Sequence, residues 1–360
     1  MKKGNMHIAI MKSILVLLAS TSIFLFTSCK GGKTGENGNE NNDGTNSSQV
    51  KPIDQELVLL NKRIADNPND YSAYLDRARY FGDHEIYGEA FADIARAIAV
   101  DSTRADIYLY RGDLYFDQQK VQEAYDSYKK CLSIDSLNVD GLLNKTGIDI
   151  VLANYDVARS QINTALRQNE FNPYAYYLRG RLYKTTGDTT LAASSYKTAI
   201  EVDPNYYDAY IEVGLLYAAK KNDLAKEYYS SAISIRPQSI EAWYNKAMYL
   251  QETGVRKKGR YQEAFACYDS ILSIDPSFVA AHFNKGYIWL EYLNQYDSAT
   301  THFTKAINLY PQYYQAYLNR GLSYESLNKK KEAESDYRQA LAINPQYTEA
   351  AKSLSRVLGE

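Results

Sequence analysis

The side chains of this chain that could bind a metal are its histidines and cysteines. Three histidines follow residue 28, and neither an HxxxH pattern nor a Cys–His spacing accompanies them. Because His282 stands where similar segments of the chain have an aromatic residue, we interpret it as a core side chain, with a metal site as a remote alternative. His84 and His302 add no ligand pattern. We predict no metal site.

Glycines and carboxylates form no catalytic pattern either. The glycines of residues 31–44 lie in a polar segment, and none opens a helix as a phosphate-binding loop does. The carboxylates are explained more simply as solvated faces or as turn residues, such as Asp135, Asp203 and Asp275. We therefore predict no enzyme, no catalytic residue and no cofactor.

Cys29 has the clearest chemical signature in the chain. It follows two small residues and an apolar run over residues 14–26, and lysines but no acids precede that run. A membrane-spanning helix needs about 20 apolar residues, so this shorter run is typical of a cleaved secretory signal.

The segment before Cys29 resembles the lipobox of bacterial lipoproteins, in which signal peptidase II cuts before a cysteine that carries a diacylglyceryl group. Phe26 stands where that family usually has Leu. The resemblance implies that residues 1–28 are a lipoprotein signal peptide and that Cys29 is the lipidation site. An ordinary secreted protein and an uncleaved anchor are the alternatives. Three methionines could start the signal: Met1, Met6 and Met11.

The segment after Cys29 has almost no side chains to bury. Residues 29–52 are rich in Gly, Asn, Asp and Ser, a composition that predicts a disordered tether. Without residues 1–28, the chain carries 38 basic and 43 acidic side chains, a net charge of −5. That balance offers no broad positive surface for nucleic acid, so we exclude nucleic acid as a partner.

A repeated pattern begins after residue 53. A bulky residue is followed by Gly or Ala and then an aromatic residue, and a later Ala recurs with a spacing of 33 to 39 residues, most often 34. Such a period indicates stacked helical repeats. The recurring alanines are Ala90, Ala124, Ala158, Ala192, Ala225, Ala264, Ala299 and Ala333.

The pattern resembles the tetratricopeptide repeat (TPR) family. The signature residues include the Gly112, Gly180, Gly214, Gly286 and Gly321 series and the terminators Pro204, Pro237, Pro276, Pro311 and Pro345. The resemblance implies an all-α solenoid of about eight helix-turn-helix repeats over 71–347, with an N-terminal helix at 53–68 and a capping helix at 348–360. The implied repeats are 71–104, 105–138, 139–172, 173–206, 207–239, 240–278, 279–313 and 314–347.

Physical considerations agree with this register. Gly or Ala at the eighth position of a repeat lets its two helices approach closely, and aromatic residues fill the space between neighbouring repeats. Prolines should lie outside the helix interiors. Cys131 and Cys267 fall in different repeats, too far apart for a disulfide.

Two parts of the register are irregular. In the third repeat, Leu142, Thr146 and Asp149 replace the usual aromatic, glycine and aromatic residues. The sixth repeat has an insertion of basic character at 255–259, which we interpret either as a tolerated surface loop or as part of a binding face.

The resemblance implies that the first helices of the repeats line a concave groove for peptides. Asparagine offers a donor and an acceptor together and could hold a peptide backbone there, although the same residue could be only part of the family consensus. Tyrosines beside it could contact a ligand, but most tyrosines here occupy framework positions rather than a sugar-binding surface. The predicted groove residues are Asn144, Asn245, Asn284, Asn319, Tyr177, Tyr244 and Tyr287.

Two functions remain open at this stage. The leading hypothesis is a non-enzymatic scaffold or adaptor that binds proteins or peptides of the cell envelope, in the manner of a Bacteroidetes-like TPR lipoprotein. The alternative is a glycan-binding or nutrient-uptake accessory lipoprotein. We expect a lipid-anchored membrane protein of the outer membrane that faces the periplasm, with an oligomeric state that the sequence does not determine.

Overall fold

The computed structural model describes residues 54–257 and 259–359. Over these residues the chain forms eighteen α-helices, one 3-10 turn and no strand, which confirms the predicted all-α fold. The helices are α1 Gln55–Asp66, α2 Tyr71–Asp83, α3 Tyr87–Val100, α4 Ala105–Asp117, α5 Val121–Ile134, α6 Val139–Val151, α7 Tyr155–Gln168, α8 Pro173–Thr185, α9 Thr189–Val202, α10 Tyr207–Ala219, α11 Leu224–Ile235, α12 Ile240–Thr253, α13 Arg260–Ile274, α14 Val279–Glu291, α15 Tyr296–Leu309, α16 Tyr314–Ser326, α17 Lys330–Ile343 and α18 Thr348–Leu358.

The helices fall into two compact units. Unit 1 ends at Gln168 and contains α1 to α7, and unit 2 begins at Asn169 and contains α8 to α18. In each unit successive helices pack in pairs: α2 with α3, α4 with α5 and α6 with α7 in unit 1, and the five pairs from α8/α9 to α16/α17 in unit 2. We call the first member of each pair a first helix and the other a second helix.

Local sequence explains where the second helices end. Asp203, Asp275 and Asn344 have extended backbones just after α9, α13 and α17, as the proline that follows each of them requires. The Asp275 carboxylate then accepts the backbone N–H of Ser277 at 2.9 Å, which closes a turn. All seven prolines of the described part lie outside helix interiors, since Pro173 is the first residue of α8.

Close packing within a pair depends on the glycine at the eighth position. A β-carbon on Gly112 would lie 2.4 Å from Cε1 of Tyr128, and one on Gly321 would lie 2.5 Å from Cε1 of Tyr337. Both tyrosines are fully buried. The predicted close approach of the two helices is therefore present, and the aromatic ring of the second helix occupies the space that the glycine leaves.

The third repeat replaces this aromatic packing with a polar network. Asp149 is fully buried and accepts hydrogen bonds from Lys145 Nζ at 2.5 Å and from the Tyr125 hydroxyl at 3.0 Å. The Gln161 amide, oriented so that its nitrogen donates to Asp149 at 3.1 Å, accepts from Lys145 at 3.0 Å. The buried charge is thus paired and hydrogen-bonded, as its burial requires.

The insertion in the sixth repeat continues α12 with a 3-10 turn, Gly254–Arg256. Lys257 and the nearly buried Arg260 both pair with Asp223, the residue before α11. Arg260 also donates to Thr253. These described side chains have structural partners within unit 2, which favours the surface-loop interpretation of the insertion.

The first and last helices of the described part are fixed by charged side chains. Arg63 of α1 donates to Asp76 at 2.6 Å and to Asp70 at 3.0 Å, and no residue of α1 is fully buried. Arg356 of α18 forms a two-pronged pair with Glu325 of α16, with distances of 2.8 and 2.9 Å. Each end helix therefore has a specific partner in its own unit.

Candidate functional site

The lipidation site predicted at Cys29 and the signal peptide before it lie outside the described residues. Among the helices that are described, none is both long and apolar enough to pass through a lipid bilayer. The anchor therefore stays a prediction from the sequence.

Two of the four predicted asparagines face inward. Asn284 of α14 is 3% exposed, and its amide nitrogen donates to the Tyr244 hydroxyl of α12 at 3.1 Å. Asn319 of α16 is 4% exposed and donates to the carbonyl oxygen of Gln315 in its own helix at 2.9 Å. In this conformation both amides stabilise the repeats and are not presented to a ligand.

The other two asparagines are partly exposed. Asn144 of α6 donates to Asp113 at 2.9 Å, and the same carboxylate accepts the Tyr128 hydroxyl at 2.9 Å. Burial raises the pKa of Asp113 to about 6 despite these bonds, which act in the opposite direction. Asn245 of α12 makes no side-chain hydrogen bond with any described residue. Of the four amides, that of Asn245 is the one placed to meet a ligand.

The three predicted tyrosines also differ in exposure. Tyr177 is buried among other rings, with centroids 5.6 Å from Tyr196 and 5.5 Å from Tyr206. Tyr244 is buried and accepts the Asn284 amide. Tyr287 is partly exposed. The structure therefore joins Tyr244 to Asn284, leaves Tyr287 at the surface and uses Tyr177 as a framework residue.

The exposed and partly exposed side chains of α8, α10, α12, α14 and α16 form what we call the first-helix face of unit 2. Its middle carries three carboxylates, those of Asp208, Glu212 and Glu241. Glu212 pairs with Lys184 of α8 at 2.5 Å, and Glu241 accepts the Tyr207 hydroxyl at 3.0 Å. The charge on this part of the face is mixed, with an acidic excess among these groups.

Two of these carboxylates have raised pKa values. Withdrawal from water is the main cause for Asp208 and for Glu241, and in each case the charge of Glu212 acts in the same direction. Arg236 lowers both pKa values but does not cancel the effect. Carboxylates whose pKa values are raised in this way occur more often at functional sites than elsewhere.

The far end of the same face contains residues that the sequence did not single out. Tyr292 follows α14, and its ring lies perpendicular to that of Tyr287. Glu252 and Glu291, both exposed, stand at the thirteenth position of α12 and α14. Acids recur at that position in the first, second, sixth and seventh repeats, so an alignment of the repeats with one another could have found them.

Histidines and cysteines are not arranged as ligands in the described residues, where no group of three His, Cys, Asp or Glu side chains could hold a metal. His282 is 9% exposed and stacks on His302, with centroids 6.1 Å apart. Cys131 and Cys267 are buried and free, and burial raises the pKa of their thiols to about 12 and about 11. These groups pack in the core.

Comparison with protein-family models finds the tetratricopeptide repeat in three segments: 65–137, 173–206 and 314–347. The chain is 28% identical over 262 residues to human RNA polymerase II-associated protein 3, a match that covers 69% of this chain and 38% of that protein. It is 26% identical over 266 residues to a rice DnaJ protein P58IPK homolog B, covering 66% of this chain and 56% of the relative. The chain thus spans about half or less of these curated relatives.

Solved structures share the fold. The C-terminal part of a TPR repeat-containing protein from Cytophaga hutchinsonii matches with a TM-score of 0.58 and 18% identity, covering 69% of this chain and 99% of that one. Yeast Tom70 matches with a TM-score of 0.50 and 20% identity, covering 82% of this chain and 61% of that one. At these identities the likeness shows the fold alone.

Fold and comparisons agree on the class of protein. Tetratricopeptide-repeat proteins act in protein–protein interaction and bind proteins or peptides. The paired helices, the glycine–tyrosine packing and the three matched segments all belong to that class. This chain contains tetratricopeptide repeats and has the all-α fold of tetratricopeptide-repeat proteins.

Proposed function

We propose that this chain is a non-enzymatic scaffold or adaptor that binds segments of other proteins on its first-helix face. A lipid on Cys29 holds it in the bacterial cell envelope, at the outer membrane and facing the periplasm, and the segment 29–52 gives the folded units reach. The partners are proteins or peptides of the envelope. The fold supports the binding function, and the lipobox-like sequence before Cys29 supports the anchor.

The observation that carries the binding function is the pair of carboxylates Asp208 and Glu241. Both have raised pKa values, so holding them charged opposes folding slightly. A positively charged partner would offset the unfavourable free energy of keeping these two carboxylates charged. Asn245, with its unbonded amide on α12, offers a donor and an acceptor beside them.

Neutralising the two carboxylates tests this function. The mature chain with Asp208→Asn and Glu241→Gln should recover its envelope partners from a bacterial extract with severalfold lower yield, because the amides keep the shape but remove the charge. A chain with Glu201→Gln and Glu227→Gln, two exposed carboxylates on second helices, is the matched control and should lose nothing. Undiminished recovery with the first variant would show that this face is not the binding surface.

The anchor has a separate test. Replacing Cys29 by Ala removes the acceptor of the lipid, so the protein should move from the membrane fraction to the soluble fraction of the envelope. Metabolic labelling with a clickable fatty acid should mark the native chain and not the variant. Persistent membrane association of the unlabelled variant would contradict the anchor and leave the binding proposal intact.

A further inference from the structure

Two tyrosines form a corner at one end of the first-helix face of unit 2. The rings of Tyr287 in α14 and Tyr292 just after it have centroids 5.9 Å apart and planes at 79°. Both side chains are partly exposed. Tyr261 of α13 stacks on Tyr292 at 5.0 Å with planes at 15°, which fixes the orientation of the Tyr292 ring. The corner therefore has a defined shape before any ligand arrives.

Two acids stand beside this corner. Glu252 is the next-to-last residue of α12, and Glu291 is the last residue of α14. Both are exposed, and neither forms an ion pair with another described residue. The Tyr292 pKa rises to about 12, mainly through burial, and the charges of both acids contribute to the rise. Both carboxylates therefore act on the same ring.

The positions of these acids oppose the helix dipoles. A helix C-terminus carries a partial negative charge, so a cation is favoured there and an anion is not. No basic residue occupies the last turn of α12 or of α14, where Glu252 and Glu291 lie. Partial withdrawal from water also raises the Glu252 pKa, with Lys221 acting in the opposite direction. Two helix ends thus add negative potential to two carboxylates that lie beside aromatic rings.

A flat cation is complementary to both the aromatic rings and the negative charge of this corner. The faces of tyrosine rings attract cations, and a guanidinium group can stack on a ring while its fork of N–H donors reaches a carboxylate. An ammonium group lacks the planar fork, so arginine fits this corner better than lysine.

We propose that the corner formed by Tyr287, Tyr292, Glu252 and Glu291 binds an arginine side chain of the protein segment that lies on the first-helix face. This inference rests on the proposed function and names the partner chemistry at one point of the same face. The bound segment is one with arginine at the position that meets the end of α14.

A pair of peptides that differ only in charge tests the inference. The probe is a fluorescein-labelled nonapeptide with three Gly-Arg-Gly units, and its control has citrulline, a neutral isostere, in place of each arginine. In fluorescence anisotropy with the mature full-length chain at 150 mM salt, the arginine peptide should bind about tenfold more tightly than the citrulline peptide. Equal binding of the two peptides, or no binding of either, would overturn the proposal.

Variants locate the effect at the corner. Tyr292→Leu and Glu291→Gln should each remove most of the tenfold preference, whereas Tyr292→Phe, which keeps a ring face, should retain it within about twofold. Tyr310→Leu, at a half-exposed tyrosine elsewhere in unit 2, is the matched control and should change nothing. If Tyr292→Leu keeps the preference while Asp208→Asn with Glu241→Gln removes it, the corner is wrong and the proposed function stands.

Discussion

At the scale of single residues, the buried polar groups of the third repeat are the least expected feature. Asp149 has no exposed surface and accepts hydrogen bonds from Lys145, Tyr125 and Asn154. Lys145 is itself 7% exposed. A buried ion pair contributes little when it is compared with an apolar pair, but removing one partner leaves the other charge buried alone.

Asp149→Ala should therefore destabilise unit 1 strongly. The expected loss is about 3 kcal/mol or more, because Lys145 and the Tyr125 hydroxyl both lose their acceptor. Hydrogen–deuterium exchange of the amides of α6 and α7 measures the change locally. Asp156→Ala, at an exposed carboxylate in the first turn of α7, should cost less than about 1 kcal/mol. Similar losses for the two variants would show that the network does not stabilise the repeat.

A second group, the partly buried His302, should make unit 2 sensitive to acid. Its pKa is lowered to about 4, first by burial and then by Lys285, Lys305 and His282, while Asp269 acts in the opposite direction. The unfolded chain has a histidine pKa near 6.5. Between these values the unfolded state binds more protons than the folded state, so stability is lost as the pH falls from about 6.5 towards 4.

Unfolding in urea, followed by the fluorescence of Trp289 and Trp243, tests whether stability falls as the pH is lowered. Both tryptophans lie in unit 2. The free energy of unfolding at pH 5 should be about 1–2 kcal/mol below that at pH 7, and His302→Phe should remove at least half of the difference. His84→Phe, in unit 1, should leave the difference unchanged. A native chain equally stable at both pH values would contradict the assignment.

At the scale of helices, each pair depends on one close approach. Tyr128 fills the space above Gly112, and its hydroxyl donates to Asp113, so the ring cannot easily move aside. Gly88, in α3 of the same unit, has no atom within 4 Å of the place where a β-carbon would lie. The two glycines are thus a matched pair, one required by packing and one not.

Gly112→Ala should destabilise unit 1 by about 1–3 kcal/mol, because the new methyl group meets Tyr128. Gly88→Ala should stabilise it by up to about 1 kcal/mol, because alanine favours the helix. Thermal unfolding followed by circular dichroism measures whether each variant is less or more stable than the native chain. Two changes of the same sign would mean that the α4–α5 approach is looser than the structure shows.

Much of this architecture could be predicted from sequence because it is periodic. The repeat spacing, the glycine–aromatic pairing and the Asp-Pro ends are local or recur at fixed intervals. Position within the repeat indicated that Asn284 lies on a first helix, but not that Tyr244, forty residues earlier, would bind its amide. The polar core of the third repeat was missed for the same reason, since Asp149 accepts hydrogen bonds from Tyr125 of α5 and from Asn154 in the turn after α6.

The candidate site was less accessible to sequence reasoning. Tyr292 lies after the end of α14, outside the repeat positions that the family pattern emphasises. The corner that it forms with Tyr287 depends on the stacking of Tyr261, which comes from a different helix. Tyr287 was predicted, and the recurring position of Glu252 and Glu291 is visible in the sequence, but only the three-dimensional arrangement joins these residues to Tyr292.

At the scale of the whole molecule, the described residues form two helical units, and the first-helix face of unit 2 carries acids and tyrosines. The net charge of −5 beyond residue 28 agrees with a partner that brings positive side chains. A scaffold needs no catalytic group, and its specificity comes from the side chains that successive first helices present. Asn245 and Asn308 allow this idea to be tested with matched asparagines, one on a first helix and the other exposed on the second helix α15.

The most direct measurement replaces each of these asparagines, in separate chains, by photoreactive benzoylphenylalanine. After irradiation in an envelope extract, mass spectrometry identifies the proteins and the peptides joined to each position. The account predicts adducts at position 245 that carry arginine near the crosslink, and only background at position 308. Equal yields at the two positions, or no adduct at position 245, would contradict the claim that the first-helix face of unit 2 binds protein segments.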